Sequence, residues 1–275
     1  MNKNYRFEIL LLINLGLGAA IGLYPGLVLP LFLLVFVFLG LYPIVQLNNS
    51  NGRAHLSAGY LAGLEMTVRA SGAPLFYESA KLAVIVLLGV GLIVERRNKK
   101  LPIGMVVFAL TLLPSIAVMD FDLGLDRIRQ NISFNLAGPF CLVMAVWYFY
   151  QRAMTKVQLA QLFQWILLAM TTTLGFLFIK TPSINEIVFS YNANFDASFF
   201  GPNQMASMLG YGILLLVITL LFKIPTFQIR PMLWVLVALM LYRGLLTFSR
   251  GGMLGPIISF SIGLAYYWSA SEILG

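Results

Sequence analysis

Two short polar elements interrupt a largely apolar chain and carry residue types suited to binding an anion. The first is Phe200, Gly201, Pro202, Asn203 and Gln204, at the start of an apolar run. Proline at a helix start forfeits nothing by lacking its N–H, and the first-turn amides of a helix, with its dipole, attract negative charge. The second is Leu246, Thr247, Phe248, Ser249, Arg250, Gly251 and Gly252, where one apolar run ends and the next begins. There Arg250 can give paired hydrogen bonds to phosphate oxygens, while Gly251 and Gly252 let a ligand approach the backbone closely. Arg243 stands seven residues before Arg250 and falls on about the same helical face, two turns away. An arginine within an apolar run marks a candidate functional site. The structural alternative is that it snorkels, or pairs with a carboxylate such as Glu65 to hold the bundle together.

A second ionisable set lies earlier: Glu65 with Arg69 at i, i+4, and Glu78 with Lys81 at i, i+3. These spacings let each pair neutralise itself within its own helix. Such pairs are either structural or the lining of a functional cavity, in which Glu65 or Glu78 is the candidate general base. The single histidine, His55, and the single cysteine, Cys141, supply neither a metal-ligand set nor an internal disulfide. The chain has no nucleotide-phosphate loop, dinucleotide fingerprint or zinc-ligand spacing, so the expectation is chemistry without metal or cofactor.

The elements that must position these residues are helices in a membrane. Of 275 residues, 60% are hydrophobic and 10% charged, and the mean hydropathy of +0.88 lies outside the soluble range. Ten spans of about 20 residues take up roughly 200 positions. The expected fold is therefore an all-α polytopic transmembrane bundle of about ten spans, one domain over 1–275, without a sizeable soluble part. A net charge of +8 would suggest nucleic acid in a soluble chain; in a membrane chain its distribution sets topology instead, and no nucleic-acid partner is expected.

The apolar runs place spans at 7–23, 27–47, 56–76, 77–94, 101–119, 134–150, 161–179, 203–222, 231–248 and 251–269. The basic cluster Arg96, Arg97, Lys99 and Lys100 belongs on the same side as Lys3 and Arg6 by the positive-inside rule. An even number of crossings must precede it, so the stretch carrying Glu65 and Arg69 crosses or inserts deeply. With the amino terminus cytoplasmic, eleven cations face the cytoplasm, and Arg127, Arg129, Lys180 and Arg250 face outward. His55 then falls on the cytoplasmic side. Both polar elements come to the outer mouth, beside outer loops expected at 120–133 and 180–202. Aromatic residues in the second loop, Tyr191, Phe195, Phe199 and Phe200, suit either sugar contact or an ordinary interfacial belt.

The order and spacing of Phe200 to Gln204 and Thr247 to Gly252 resemble the O-antigen ligase and O-antigen polymerase superfamily of bacterial inner-membrane glycosyltransferases, over about 186–269. The resemblance implies transfer of a glycan from an undecaprenyl-diphosphate carrier at the outer leaflet. The acceptor is lipid A core in a ligase and a growing polysaccharide in a polymerase. No metal or nucleotide sugar is implied, because the lipid diphosphate is already the leaving group. The diphosphate set implied is Arg250, Arg243, Ser249, Gly251, Asn203 and Arg69. Members continue through further spans and a large extracytoplasmic loop, whereas this sequence stops at Gly275. The expectation is therefore a truncated or atypical member. A lipid-linked-glycan flippase and a non-catalytic assembly partner are the competing functions.

Overall fold

The computed structural model describes residues 6–95, 102–114, 124–181, 186, 198–199, 201–224 and 229–274. Among them the fold is all-helical: α1 (Arg6–Leu23), α2 (Pro25–Gln46), α3 (Arg53–Ala70), α4 (Ser79–Val94), α5 (Ile103–Leu112), α6 (Leu125–Phe149), α7 (Lys156–Lys180), α8 (Pro202–Leu221), α9 (Arg230–Leu246) and α10 (Arg250–Leu274). Five helical stretches are long and apolar enough to cross a membrane: α1, α2, Ile128–Phe149 within α6, α7 and α8. The chain is thus a membrane-type helical bundle.

α7 is the axis of the bundle. Its start is fixed by a capping box in which Thr155 Oγ1 accepts the Gln158 N–H at 3.2 Å and Gln158 Oε1 accepts the Thr155 N–H at 2.9 Å. Both α1 and α3 lie parallel to it. Without a hydrophobic drive between lipid-bathed helices, small residues and interhelical hydrogen bonds supply the adhesion. A Cβ on Gly18 of α1 would fall on the Thr172 carbonyl, and one on Gly175 would fall on the Leu15 carbonyl.

Hydroxyls fill the same seam. Thr172 and Tyr60 both donate to Asn14 Oδ1, at 3.0 and 2.8 Å, and Asn14 Nδ2 donates to the Leu10 carbonyl at 2.8 Å. Thr67 Oγ1 donates to Thr173 Oγ1 at 2.7 Å. These bonds tie α1, α3 and α7.

α4 runs antiparallel to α3. α8 and α10 run parallel to each other, with Ala206 against Gly252 and Gly210 against Pro256. α8 starts where α3 ends, so α4, α8 and α10 run opposite to α1, α3 and α7.

α2 is irregular, with a π-helical stretch over Leu34–Leu41. Pro43 has no N–H to offer the Leu39 carbonyl, and Ser57 Oγ of α3 donates to it instead at 2.9 Å.

One expectation changes. Residues 126–133, assigned to an outer loop, are helical, because α6 starts at Leu125 and its polar first turns continue into the apolar part. α5 covers Ile103–Leu112, well inside the expected 101–119, and residues 115–123 lie outside the described structure. Most of the expected loop 180–202, including Tyr191 and Phe195, also lies outside it.

The seam predicts unequal effects of one substitution along α1. Gly16→Ala, whose Cβ meets nothing within 4 Å, should be neutral or stabilising by up to about 1 kcal/mol through helix propensity. Gly18→Ala should destabilise by about 2 kcal/mol through overpacking against backbone. Equilibrium unfolding in mixed micelles measures both, and equal effects would contradict the seam.

Candidate functional site

Four charged side chains meet where α3 ends and α4 begins. One helical turn puts Glu65 and Arg69 on the same face of α3, and the Gly72 turn, with φ of 67°, brings the chain back so that Glu78 precedes α4 and Lys81 lies in its first turn. Arg69 Nη2 sits 2.5 Å from Glu65 Oε1 and 3.1 Å from Glu78 Oε2. Lys81 Nζ sits 2.9 Å from Glu78 Oε2 and 3.6 Å from Glu65 Oε1. The two pairs expected to satisfy themselves within separate helices are thus cross-linked into one neutral quartet.

Burial is uneven. The Arg69 and Glu78 side chains are 5% and 4% exposed, those of Lys81 and Glu65 21% and 23%. The inner pair needs its partners most, since an isolated buried charge is far costlier than a paired one. Arg69 stacks over Tyr77 at 4.2 Å, and Glu78 Oε1 is buried without a hydrogen-bond partner.

The quartet borders a cleft of about 530 Å³ between α3, α4, α7 and α8. Glu65, Arg69 and Lys81 line its charged side. Met66, Met170 and Met208 line its apolar side, and Gln204, Ser207 and Tyr211 come from α8. Arg69 Nη1 donates to Gln204 Oε1 at 3.4 Å, which joins the quartet to the first polar element.

That element is joined in turn to the second. Ser249 Oγ donates to Asn203 Oδ1 at 2.8 Å across 46 residues of sequence. Ser249 precedes α10 and also accepts the Gly252 N–H at 3.4 Å, so one hydroxyl caps a helix and bonds to its neighbour. Gly252 allows this contact, since a Cβ there would meet Ala206 and the Ser207 backbone N. The polar elements converge, as expected for the starts of α8 and α10. At the α8 start, however, the Gln204 and Met205 N–H groups already donate to the Gly201 carbonyl, at 3.0 and 3.1 Å, which weakens the case for a bare amide anion site.

Arg250 is exposed at the α10 start, with no ion pair among the described residues, and Gly251 beside it has open space where a Cβ would project. Arg243 is elsewhere in character. α9 ends at Leu246, Phe248 takes φ of 54°, and α10 begins afresh, so Arg243 and Arg250 do not share the expected helical face. Arg243 is buried. Its Nη2 donates to the Leu177 carbonyl at 3.3 Å and its guanidinium lies 4.4 Å from the Phe178 ring centre, against the last turn of α7 where the helix dipole favours a cation. Among the described residues no carboxylate pairs with it, Glu65 included, and its Nε has no partner.

A third polar cluster sits at the opposite end of α3 and α4. Glu95 accepts two bonds from Arg152, at 2.9 and 2.6 Å, and one from Asn49 at 2.6 Å. Tyr148 OH lies 3.2 Å from His55 Nδ1. His55 is therefore a buried helical residue holding elements together. The run of Asn48 to Asn51 reads as loop punctuation, and the only local signal was Asn49 five residues before the Ala54 N–H that it caps at 2.9 Å.

Among the described residues no three His, Cys, Asp or Glu side chains are grouped to hold a metal. No protein-family model, curated protein or solved structure matches this chain.

The burial asymmetry predicts that Arg69→Met, which removes the buried cation and leaves Glu65 and Glu78 with Lys81 alone, destabilises the purified protein by about 3–5 kcal/mol. Lys81→Met should cost less than about 1 kcal/mol. Thermal or detergent-induced unfolding compares them, and a larger loss for Lys81→Met would refute the arrangement.

Proposed function

We propose that the chain is a membrane glycan transferase of the O-antigen ligase or polymerase kind, acting on an undecaprenyl-diphosphate-linked oligosaccharide at the outer leaflet of a bacterial inner membrane. Lipid A core or a growing polysaccharide is the acceptor, and the amino terminus is cytoplasmic. The observation that carries this reading is the Ser249 to Asn203 hydrogen bond. It brings the two elements behind the resemblance to one end of the bundle, beside the cleft that Arg69 reaches through Gln204. Ten crossings belong to the same proposal, and the alternating direction of the packed helices supports them.

The residues divide the chemistry as follows. An acceptor hydroxyl oxygen attacks the anomeric carbon of the carrier-linked sugar. The bond from that carbon to the diphosphate oxygen breaks, and its electron pair leaves with the carrier. Glu65, the carboxylate that lines the cleft, takes the hydroxyl proton as general base. Glu78, held between Arg69 and Lys81, offsets one of their two charges. Arg250 is free to stabilise charge growing on the departing diphosphate, with Gly251 leaving room for it. Arg69, already engaged by two carboxylates, acts as a positioning residue for Gln204. Arg243 supports the same end by holding the α7 terminus.

Transport of the lipid-linked glycan is the second reading, favoured by the π-helical interruption of α2, since broken helices accompany transport pathways. One experiment separates the two. In proteoliposomes supplied with the lipid-linked donor and acceptor, wild type should form covalent product, and Arg250→Ala should lower the rate by about 100- to 1000-fold, the loss seen when one preorganised donor is removed. Tracer movement across the bilayer without product would overturn the transferase reading.

A further inference from the structure

A second cavity, larger than the cleft beside the quartet, opens elsewhere in the bundle. It is a groove of about 1010 Å³ at the amino-terminal end of α1, α3 and α7, closed on its fourth side by α2. We propose that this groove seats one anionic phospholipid of the surrounding membrane, headgroup at the arginine end and acyl chain along α1 and α2. The inference does not depend on glycan transfer; it requires only that the bundle sits in a bilayer.

Charge gives the headgroup. Arg6 and Arg53 both line the groove, no carboxylate lines it, and neither arginine has an ion-pair partner among the described residues. Arg53 is held over the Trp165 ring at 5.7 Å. Ser50, Asn51 and Gln161 add neutral polar groups to the same end. A phosphate needs this combination of free cations and neutral donors, whereas a zwitterionic headgroup would bring its own cation against the two arginines.

Shape gives the chain. Along α1 the lining runs from Arg6 to Leu17, about 16 Å at 1.5 Å per residue. That is close to the depth of one leaflet, half of a hydrocarbon core of about 30 Å. Beyond the arginines the walls are Leu10, Leu31, Leu34, Val35 and Leu168. Asn14 and Tyr60 in this wall are already engaged: Tyr60 OH donates to Asn14 Oδ1, and Asn14 Nδ2 donates to the Leu10 carbonyl. The π-helical stretch of α2 supplies Leu34, Val35 and Leu39 to this wall, so the irregular backbone lies against the groove.

Native mass spectrometry of the full chain, offered phosphatidylglycerol and phosphatidylcholine with identical acyl chains, tests the proposal. Wild type should retain one phosphatidylglycerol with about thirtyfold preference, the value for two basic side chains at an anionic surface. Arg6→Gln with Arg53→Gln should bring the two lipids to near parity with helix content unchanged by circular dichroism. Leu34→Trp, which fills the groove without touching either charge, should lower retention of both lipids and tests the site should the double variant fail to fold. Equal retention by wild type would overturn the proposal, as would a preference surviving in the double variant. Displacement by millimolar glycerol phosphate would also overturn it, by showing a headgroup site without a seated chain.

Discussion

A charge inside an apolar bundle has to find an opposite charge or a row of carbonyls, and this constraint organises both ends of the molecule. Between α3 and α4 it gathers two carboxylates and two cations into a neutral quartet. At the other end it ties Glu95 to Arg152, with Asn49 and Tyr148 alongside. Arg243 meets the same demand with the Leu177 carbonyl at the negative end of the α7 dipole. The quartet ties two consecutive helices, and the other two solutions join positions 57 and 66 residues apart, so charge neutralisation, not hydrophobic burial alone, sets which helix ends meet.

The quartet also positions what lies next to it. Arg69 reaches Gln204, Gln204 follows Asn203, and Asn203 accepts the hydroxyl that caps α10. A continuous polar path therefore runs from α3 through the start of α8 to the start of α10, beside a cleft with an apolar floor. Among the described residues it leaves Arg250 exposed and without an ion pair, a cation still available to a ligand. In the proposed transferase, the saturated charges hold the frame and the unsaturated one meets the diphosphate.

Helices were legible in the sequence where apolar runs met strong boundaries. Proline at the start of α8 and the polar stretch before α3 mark observed ends, whereas α7 begins five residues before the expected 161, behind a Thr155 cap that hydropathy alone does not show. Local spacing also exposed Glu65 with Arg69 and Glu78 with Lys81, because i, i+4 and i, i+3 neighbours are fixed by helix geometry. The links between those pairs were not legible, since nothing in a helical period says which other helix will face it. Nor was the Asn14, Tyr60 and Thr172 seam, whose members are separated by 46 and 158 residues from Asn14. Arg243 and Arg250 misled because their spacing assumes an unbroken helix, which the positive φ at Phe248 interrupts. The early start of α6 was missed because charged residues in its first turns look like a loop.

The central claim is that the starts of α8 and α10 meet at one polar junction. Its most direct test is oxidative cross-linking in native membranes of a chain carrying Asn203→Cys and Ser249→Cys on a Cys141→Ser background. The junction predicts rapid disulfide formation that either single cysteine lacks. Failure to cross-link with oxidant, and with a short bifunctional maleimide, would contradict it.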